Sequence, residues 1–316
     1  MRRFVVLLAC SVAVSASGCR RRAAPPPQVE PVVVKAIDVR CPALLLEARE
    51  GGLDADRYVS PTEAERRGLR EAISALLAGR SIEEARAHAN HASFEIVPLP
   101  EDDALLLRES GKRRGGGAYL VRPESKNRLY VQAPHTFHDE GTLPLACELF
   151  ARGRAAALFI NTAHRYRAAA QTPGGNWPAD VAHNRESLFQ AATEAIVRAP
   201  LPGGPRAARV VQVHGFGERE GNGAIVISGG VRQANHPTVG RIASALSRVI
   251  DGGVLRFPDD HPELGATTNV QGAIVRESGG QFLHLEMAAP LRRALLSDPT
   301  YRASVLAALA DAMEGA

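Results

Sequence analysis

Several signatures are absent from this chain, and each absence removes a class of chemistry. No Gly-x-Ser-x-Gly elbow is present, and Ser228-Gly-Gly, the nearest approach, lacks the glycine before the serine, which disfavours a metal-free serine hydrolase. The glycines of Gly111-Lys-Arg-Arg-Gly-Gly-Gly117 are followed by no Gly-Lys-Ser or Gly-Lys-Thr and by no helix start, so they read as a flexible hairpin loop instead of a phosphate cradle. There is no internal repeat. Cysteine is scarce, at 4 in 316 residues. The charge excess is small, a formal +4, and part of it comes from arginines within the first 22 residues, which leaves little argument for a nucleic-acid partner. The apolar run near the N-terminus is too short to span a bilayer as a mature helix.

That run has a basic head, an apolar middle and small residues before a cysteine, ending Ala16-Ser17-Gly18-Cys19. It reads as an export signal over residues 1–19. Its end resembles a bacterial lipobox with Ala16 in place of the usual leucine, so Cys19 is expected to carry lipid and anchor the chain in the cell envelope, with free secretion as the alternative. Arg20, Arg21 and Arg22 would then lie against lipid headgroups. Residues 20–35, rich in Arg, Ala and Pro, read as a disordered tether, and 32–39 as a first strand. Past the signal only Cys41 and Cys147 remain, either paired or as two buried free thiols.

Residues 36–117 read as a small N-terminal α+β region of unassigned role. Ser60-Pro61-Thr62-Glu63 is a helix start, Gly79 a helix end, and Ser81 with Glu84 a second start. His88 and His91 are expected at the surface or as histidines satisfied by hydrogen bonds. Short strands are expected at 94–97, 105–108 and 118–121. Residues 118–316 read as an α/β catalytic domain, and from 128 strands alternate with amphipathic helices: strands at 128–133, 155–161, 209–213, 224–228, 254–257, 270–276 and 281–286, with helices near 142–152, 185–198, 238–250, 289–296 and 299–313. This predicts an α/β fold with a mixed, mostly parallel sheet flanked by helices.

In such a sheet the loops after parallel strands gather at the carboxyl edge. Four strand ends there release residues that bind metal or move protons. Pro134 is followed by His135, His138, Asp139 and Glu140; strand 155–161 by Asn161, His164 and Arg165, with Asp180 and His183 further on; strand 209–213 by His214-Gly-Phe-Gly; and the last strand carries His284 and Glu286. A hydrolytic zinc site needs three protein ligands, an open position and a nearby carboxylate. The expected ligands are His135, Glu140 and His214, with Asp139 and His138 as alternatives, because a one-residue change of phase in the turn swaps the inward side chain. Glu286 is the expected general base, unless Arg292 or Arg293 pairs with it. Arg165 is expected to clamp a substrate carboxylate. His138, Asn161, His164, His183 and Asn269 are expected to line the substrate pocket, and the glycines after His214 to let backbone approach whatever the imidazole binds.

The ordered set of Pro134-His135-Thr136 with acids close behind, Asn161-Thr-Ala-His-Arg-Tyr166, Asp180-Val-Ala-His183, a strand ending His214-Gly215, and His284-Leu-Glu-Met before Pro290-Leu-Arg resembles the zinc exopeptidase group. Within that group it is most similar to N-formylglutamate amidohydrolases and poly-γ-glutamate hydrolases, and more distantly to zinc carboxypeptidases and N-acetylmuramoyl-L-alanine amidases. The resemblance spans about 128–296 and implies a phosphorylase/hydrolase-like fold, one Zn2+ per chain, and cleavage of an amide next to a carboxylate in a small peptide or acyl-amino acid. It implies His135, one of Asp139 or Glu140, and His214 as ligands, Glu286 as the late glutamate, and Arg165 on a substrate carboxylate. The first motif departs from the carboxypeptidase His-x-x-Glu, since the third residue after His135 is His138. A non-catalytic binding lipoprotein on the same fold is the rival expectation.

Overall fold

The computed structural model describes residues 41–51, 58–172, 174–198, 207–218 and 221–314. The expected signal segment, the lipidated Cys19, the tether and the strand at 32–39 lie outside the described residues. Elements run α1 (Ala43–Glu50), α2 (Glu63–Leu77), α3 (Ile82–His91), β1 (Phe94–Leu99), β2 (Ala104–Glu109), β3 (Ala118–Val121), β4 (Leu129–Ala133), α4 (Thr142–Arg152), β5 (Ala157–Ile160), α5 (Leu188–Arg198), β6 (Arg209–Phe216), β7 (Ile225–Ser228), α6 (Pro237–Leu246), β8 (Val254–Arg256), α7 (Val270–Glu277), β9 (Gln281–Ala288), α8 (Ala289–Ser297) and α9 (Pro299–Glu314).

Among the described residues the nine strands form one mixed sheet in the order β1-β2-β3-β5-β4-β6-β9-β7-β8. The central four, β5, β4, β6 and β9, are parallel, and β3 and β7 run antiparallel on either side of them. Residues 94–109 therefore continue the same sheet that carries the later motifs. Helices α1, α4, α6, α8 and α9 pack their apolar side chains on one face; α2, α3, α5 and α7 pack on the other. With both faces covered, β3, β4, β5 and β7 are buried along their whole length, which is why they read as continuous apolar runs. No helix among the described residues is long and apolar enough to cross a membrane.

Two boundaries differ from expectation for local reasons. Helix α2 starts later than Ser60 implies: Thr62 is the cap, its Oγ1 accepting from the Glu65 N–H at 3.2 Å while Glu65 Oε2 accepts from the Thr62 N–H at 2.7 Å. The expected strand at 270–276 is a helix, because Asn269 Oδ1 accepts the Gly272 N–H at 2.8 Å and caps a turn, and Val275 then faces the core. Short apolar runs leave strand and helix indistinguishable by period alone. The start at Ser81 is as read, its Oγ accepting from Glu84 N–H.

Cys41 and Cys147 are joined, with Cα atoms 5.2 Å apart, so the residues before α1 are fastened to α4. From α1, Arg49 donates to the Thr136 carbonyl at 3.0 Å and lies over the Phe137 ring at 4.2 Å. The N-terminal region thus steadies the turn that carries His135. The bridge closes a separation of 106 residues, and such a long loop stabilises mainly by restricting the unfolded chain. Cys41→Ala is expected to lower the unfolding free energy by about 2–4 kcal/mol in guanidinium titrations; an unchanged midpoint would mean the sulfurs are not joined.

Candidate metal centre

The carboxyl ends of β4, β6 and β9 meet at one edge, and register sets what faces what. Gln132 of β4, Gln212 of β6, His284 of β9 and Ser228 of β7 form one transverse row; the next row outward pairs His214 with Glu286. Residues two apart on a strand share a face, so Gln212 and His214, and His284 and Glu286, all look away from the α4 side.

Beyond β4 the chain makes a single helix-like turn, in which His138 N–H and Asp139 N–H both donate to the His135 carbonyl, at 2.9 and 2.8 Å. Residues four apart on such a turn face the same side. Asp139 is therefore the carboxylate that meets the imidazoles, and the expectation for Glu140 is corrected: Glu140 and His138 are exposed. Asp139 Oδ2 lies 3.5 Å from His135 Nδ1 and 3.3 Å from His214 Nδ1, and all three side chains are buried. It also accepts the Gly215 N–H at 3.1 Å. The two imidazole centroids are 4.7 Å apart. A second potential ligand group, His214, His284 and Glu286, adjoins the first.

The surrounding groups fix this arrangement. His135 Nε2 contacts Asp180 Oδ1 at 2.9 Å, and Arg165 bonds Asp180 Oδ2 with one Nη while the other lies 3.2 Å from His135 Nδ1. Arg165 is thus already paired inside the protein. Arg292 does not neutralise Glu286; its donors go to the carbonyls of Glu140, at 2.6 Å, Phe216, at 3.1 Å, and Met287. Gly215 brings its backbone N–H against Asp139, and a Cβ there would stand 2.0 Å from Arg292 Nη1. The glycine makes room for that guanidinium.

The expected pocket residues divide. Asn161 donates to the carbonyls of Ala163 and Ala179, at 3.0 and 3.1 Å, and so closes the 161–180 excursion instead of facing a substrate. Asn269 is likewise committed, as the α7 cap and to Gln212. His183 is half-buried, 3.4 Å from Thr268 Oγ1. His138 and His164 stand at the rim with Tyr166, His138 meeting the other two edge-to-face at 5.7 and 5.1 Å. Sequence reasoning left Asp180, His284 and Gln212 without roles. For His284 and Gln212 the strand alternation with Glu286 and His214 was the available signal.

Burial sets the electrostatics. It pushes Glu286 up to about 8, with Asp139 adding to the rise, and pulls His214 down to about 4. Burial also opposes a charge on His135, but its bonds to Asp139 and Asp180 outweigh this and raise it. Asp139 and Asp180 resist the same burial through their histidine partners and fall, Asp180 to about 2. His284 is driven well below its ordinary value by burial, and its buried Nδ1 has no hydrogen-bond partner among the described residues.

These separations fit a divalent ion. Tetrahedral bonds of about 2 Å to N and O donors place ligand atoms roughly 3.3 Å apart, whereas charge-assisted hydrogen bonds run about 2.7–2.9 Å. The Asp139 contacts, at 3.3 and 3.5 Å, match the first spacing and are long for the second.

Fold and cluster together define a mixed α/β protein with a buried His/Asp/His group suited to a metal. No family model matches the chain, and no curated protein does. Among solved structures it is similar to a bacteriophage poly-γ-glutamate hydrolase, at 16% identity and TM-score 0.41 over 62% of this chain and 88% of that one. It is similar to N-formylglutamate amidohydrolase from Ralstonia eutropha, at 12% identity and TM-score 0.42 over 64% and 98%. A metallo-carboxypeptidase from Pseudomonas aeruginosa follows, at 14% and 0.39 over 62% and 61%. These are the kinds of protein that the sequence motifs resemble. The likeness is distant, and the chemistry of this chain is read from its own residues.

In chelator-treated protein the folded Glu286 holds its proton up to about pH 8, against an ordinary value of 4.5. The stability this proton contributes is complete below about pH 4.5 and is lost as pH rises to about 8. Glu286→Gln fixes the neutral form, so its melting temperature is expected to exceed that of the native chain by a few degrees at pH 8 and to coincide with it below pH 5. Equal melting temperatures at both pH values would contradict the raised pKa.

Proposed function

We propose that the chain is an exported, zinc-dependent amidohydrolase or peptidase that cleaves an amide next to a carboxylate in a small peptide or acyl-amino acid. One observation carries the reading: two buried imidazole Nδ1 atoms and the Asp139 carboxylate stand at coordination spacing, with the protonatable Glu286 in the adjoining group. His135, Asp139 and His214 would hold one zinc ion. Bound there, zinc would polarise an amide carbonyl and acidify water.

The remaining work falls to the chain's own side chains. Glu286, whose proton burial favours, would lose it to the field of a cation held beside it, so that its carboxylate takes a proton and returns it to the leaving amine. Asp180 orients His135 through Nε2. Arg165 reaches the same centre from the 161–180 excursion and, by exchanging part of its contact with Asp180, receives the substrate carboxylate. His138, His164 and Tyr166 form the rim over which a small substrate enters. The N-terminal pattern supports export and a lipid anchor at Cys19, and the Cys41–Cys147 bridge, a bond typical of oxidising compartments, supports export.

Metal analysis of purified protein is expected to give one zinc per chain, lost in His214→Ala; native protein free of tightly held metal would overturn the reading. Glu286→Gln is expected to keep the zinc and lose roughly 10²–10⁴-fold in kcat on N-acyl amino acids. Full turnover in that variant would leave a role in binding or another base.

A further inference from the structure

We infer that Gln212 is a positioning residue that selects the imidazole tautomer of His214, leaving Nδ1 bare toward Asp139 and placing the proton on Nε2. The inference rests on the metal-site reading for its purpose, but its geometry stands on buried amides alone. The two ends of an amide side chain are interchangeable until a partner of fixed character assigns them. Three backbone groups do so for Gln212.

The first lies at the cap of α7. The Gly272 N–H can only donate, so the Asn269 atom 2.8 Å away is its oxygen. The Asn269 nitrogen then donates at 2.6 Å to Gln212, and the atom receiving it is Oε1. The second lies on α5. The Phe189 carbonyl can only accept, so the Thr193 hydroxyl donates to it at 2.9 Å. Thr193 Oγ1 therefore accepts from Gln132 Nε2 at 2.9 Å, and Gln132 Oε1 accepts from Gln212 Nε2, again at 2.9 Å. The third is the Val181 carbonyl, which takes the Gln271 Nε2 proton at 2.9 Å and turns Gln271 Oε1 toward Gln212 Nε2 at 3.4 Å. All three place the Gln212 oxygen on the His214 side.

His214 Nε2 lies 2.8 Å from that oxygen, which has only lone pairs to offer, so Nε2 carries hydrogen. A neutral imidazole has one N–H, and Nδ1, 3.3 Å from Asp139 Oδ2, is the bare nitrogen. The opposite tautomer would set two lone pairs against each other in a buried site and spend Nδ1–H on Asp139, where a cation would sit. Flipping the Gln212 amide would relieve that clash only by reversing its contacts with Asn269, Gln132 and Gln271. His135 is held in the same sense by Asp180, whose carboxylate only accepts. The two ligand imidazoles are thus oriented by different devices, a charged acid for His135 and a neutral amide network for His214.

The test is a two-bond proton–nitrogen correlation spectrum of the intact chain labelled with 15N-histidine, after chelator treatment, with His214 assigned from the His214→Ala spectrum. The expected result is the Nε2–H tautomer, and an Nδ1–H tautomer would overturn the inference whether or not the protein binds zinc. Gln212→Met removes the acceptor at similar volume. It is expected to mix the tautomers and to weaken zinc binding by about 10–100-fold in chelator competition, while Gln212→Glu, which keeps an oxygen facing Nε2, restores the Nε2–H signal. Unchanged tautomer and affinity in Gln212→Met would also overturn it. Native protein that takes up no zinc yet shows Nε2–H defeats the metal reading and leaves the tautomer assignment standing.

Discussion

A buried carboxylate facing two buried imidazoles is the constraint around which the carboxyl edge of the sheet is built. Asp139 is only 2% exposed, and an ionised acid at that depth is costly unless donors or cations surround it. Its surroundings supply the Gly215 N–H and the two Nδ1 atoms at coordination spacing. Holding these groups together requires β4 and β6 to be parallel neighbours, so that the ends of both strands reach the same edge, and requires a tight turn after Pro134.

Two cations, the buried Arg292 and the half-buried Arg165, frame the site without entering it as ligands. Arg292 ties together the carbonyls of Glu140, Phe216 and Met287, and so binds the metal turn to the ends of β6 and β9. Arg165 is drawn to Asp180, which in turn orients His135. Within the same turn, Arg49 from α1 holds the Thr136 carbonyl, and the residues before α1 are fastened through the Cys41–Cys147 bridge. Beneath the imidazoles, Gln132, Gln212, Asn269 and Gln271 replace apolar packing with a row of amides. A fully connected network of this kind fixes orientation where apolar side chains would leave the rings free to turn.

Much of the architecture was legible because its signals are local. Continuous apolar runs marked the buried strands, and His135, His214 and Glu286 stood out as polar residues at or near the ends of such runs. Where reading failed, the deciding interaction was short-range but ambiguous in one dimension. Val270-Gln-Gly-Ala-Ile-Val has the composition of a strand, and only the Asn269 cap makes it a helix. Asp139 and Glu140 are adjacent acids, and the hydrogen bonds to the His135 carbonyl set which of them points inward. Asn161 and Asn269 look like pocket residues in sequence, yet both amides are used within the protein.

The amino-acid order by itself determined the layered α/β fold and the strand ends that deliver imidazole and carboxylate to one edge, since burial period and turn chemistry act over a few residues. Tertiary structure alone decided that Asp139 meets His214 as well as His135, that Cys41 and Cys147 pair, and which nitrogen of His214 is bare. Those outcomes depend on distances between residues up to 106 positions apart and on hydrogen-bond directions fixed by distant backbone groups, neither of which is encoded in local pattern.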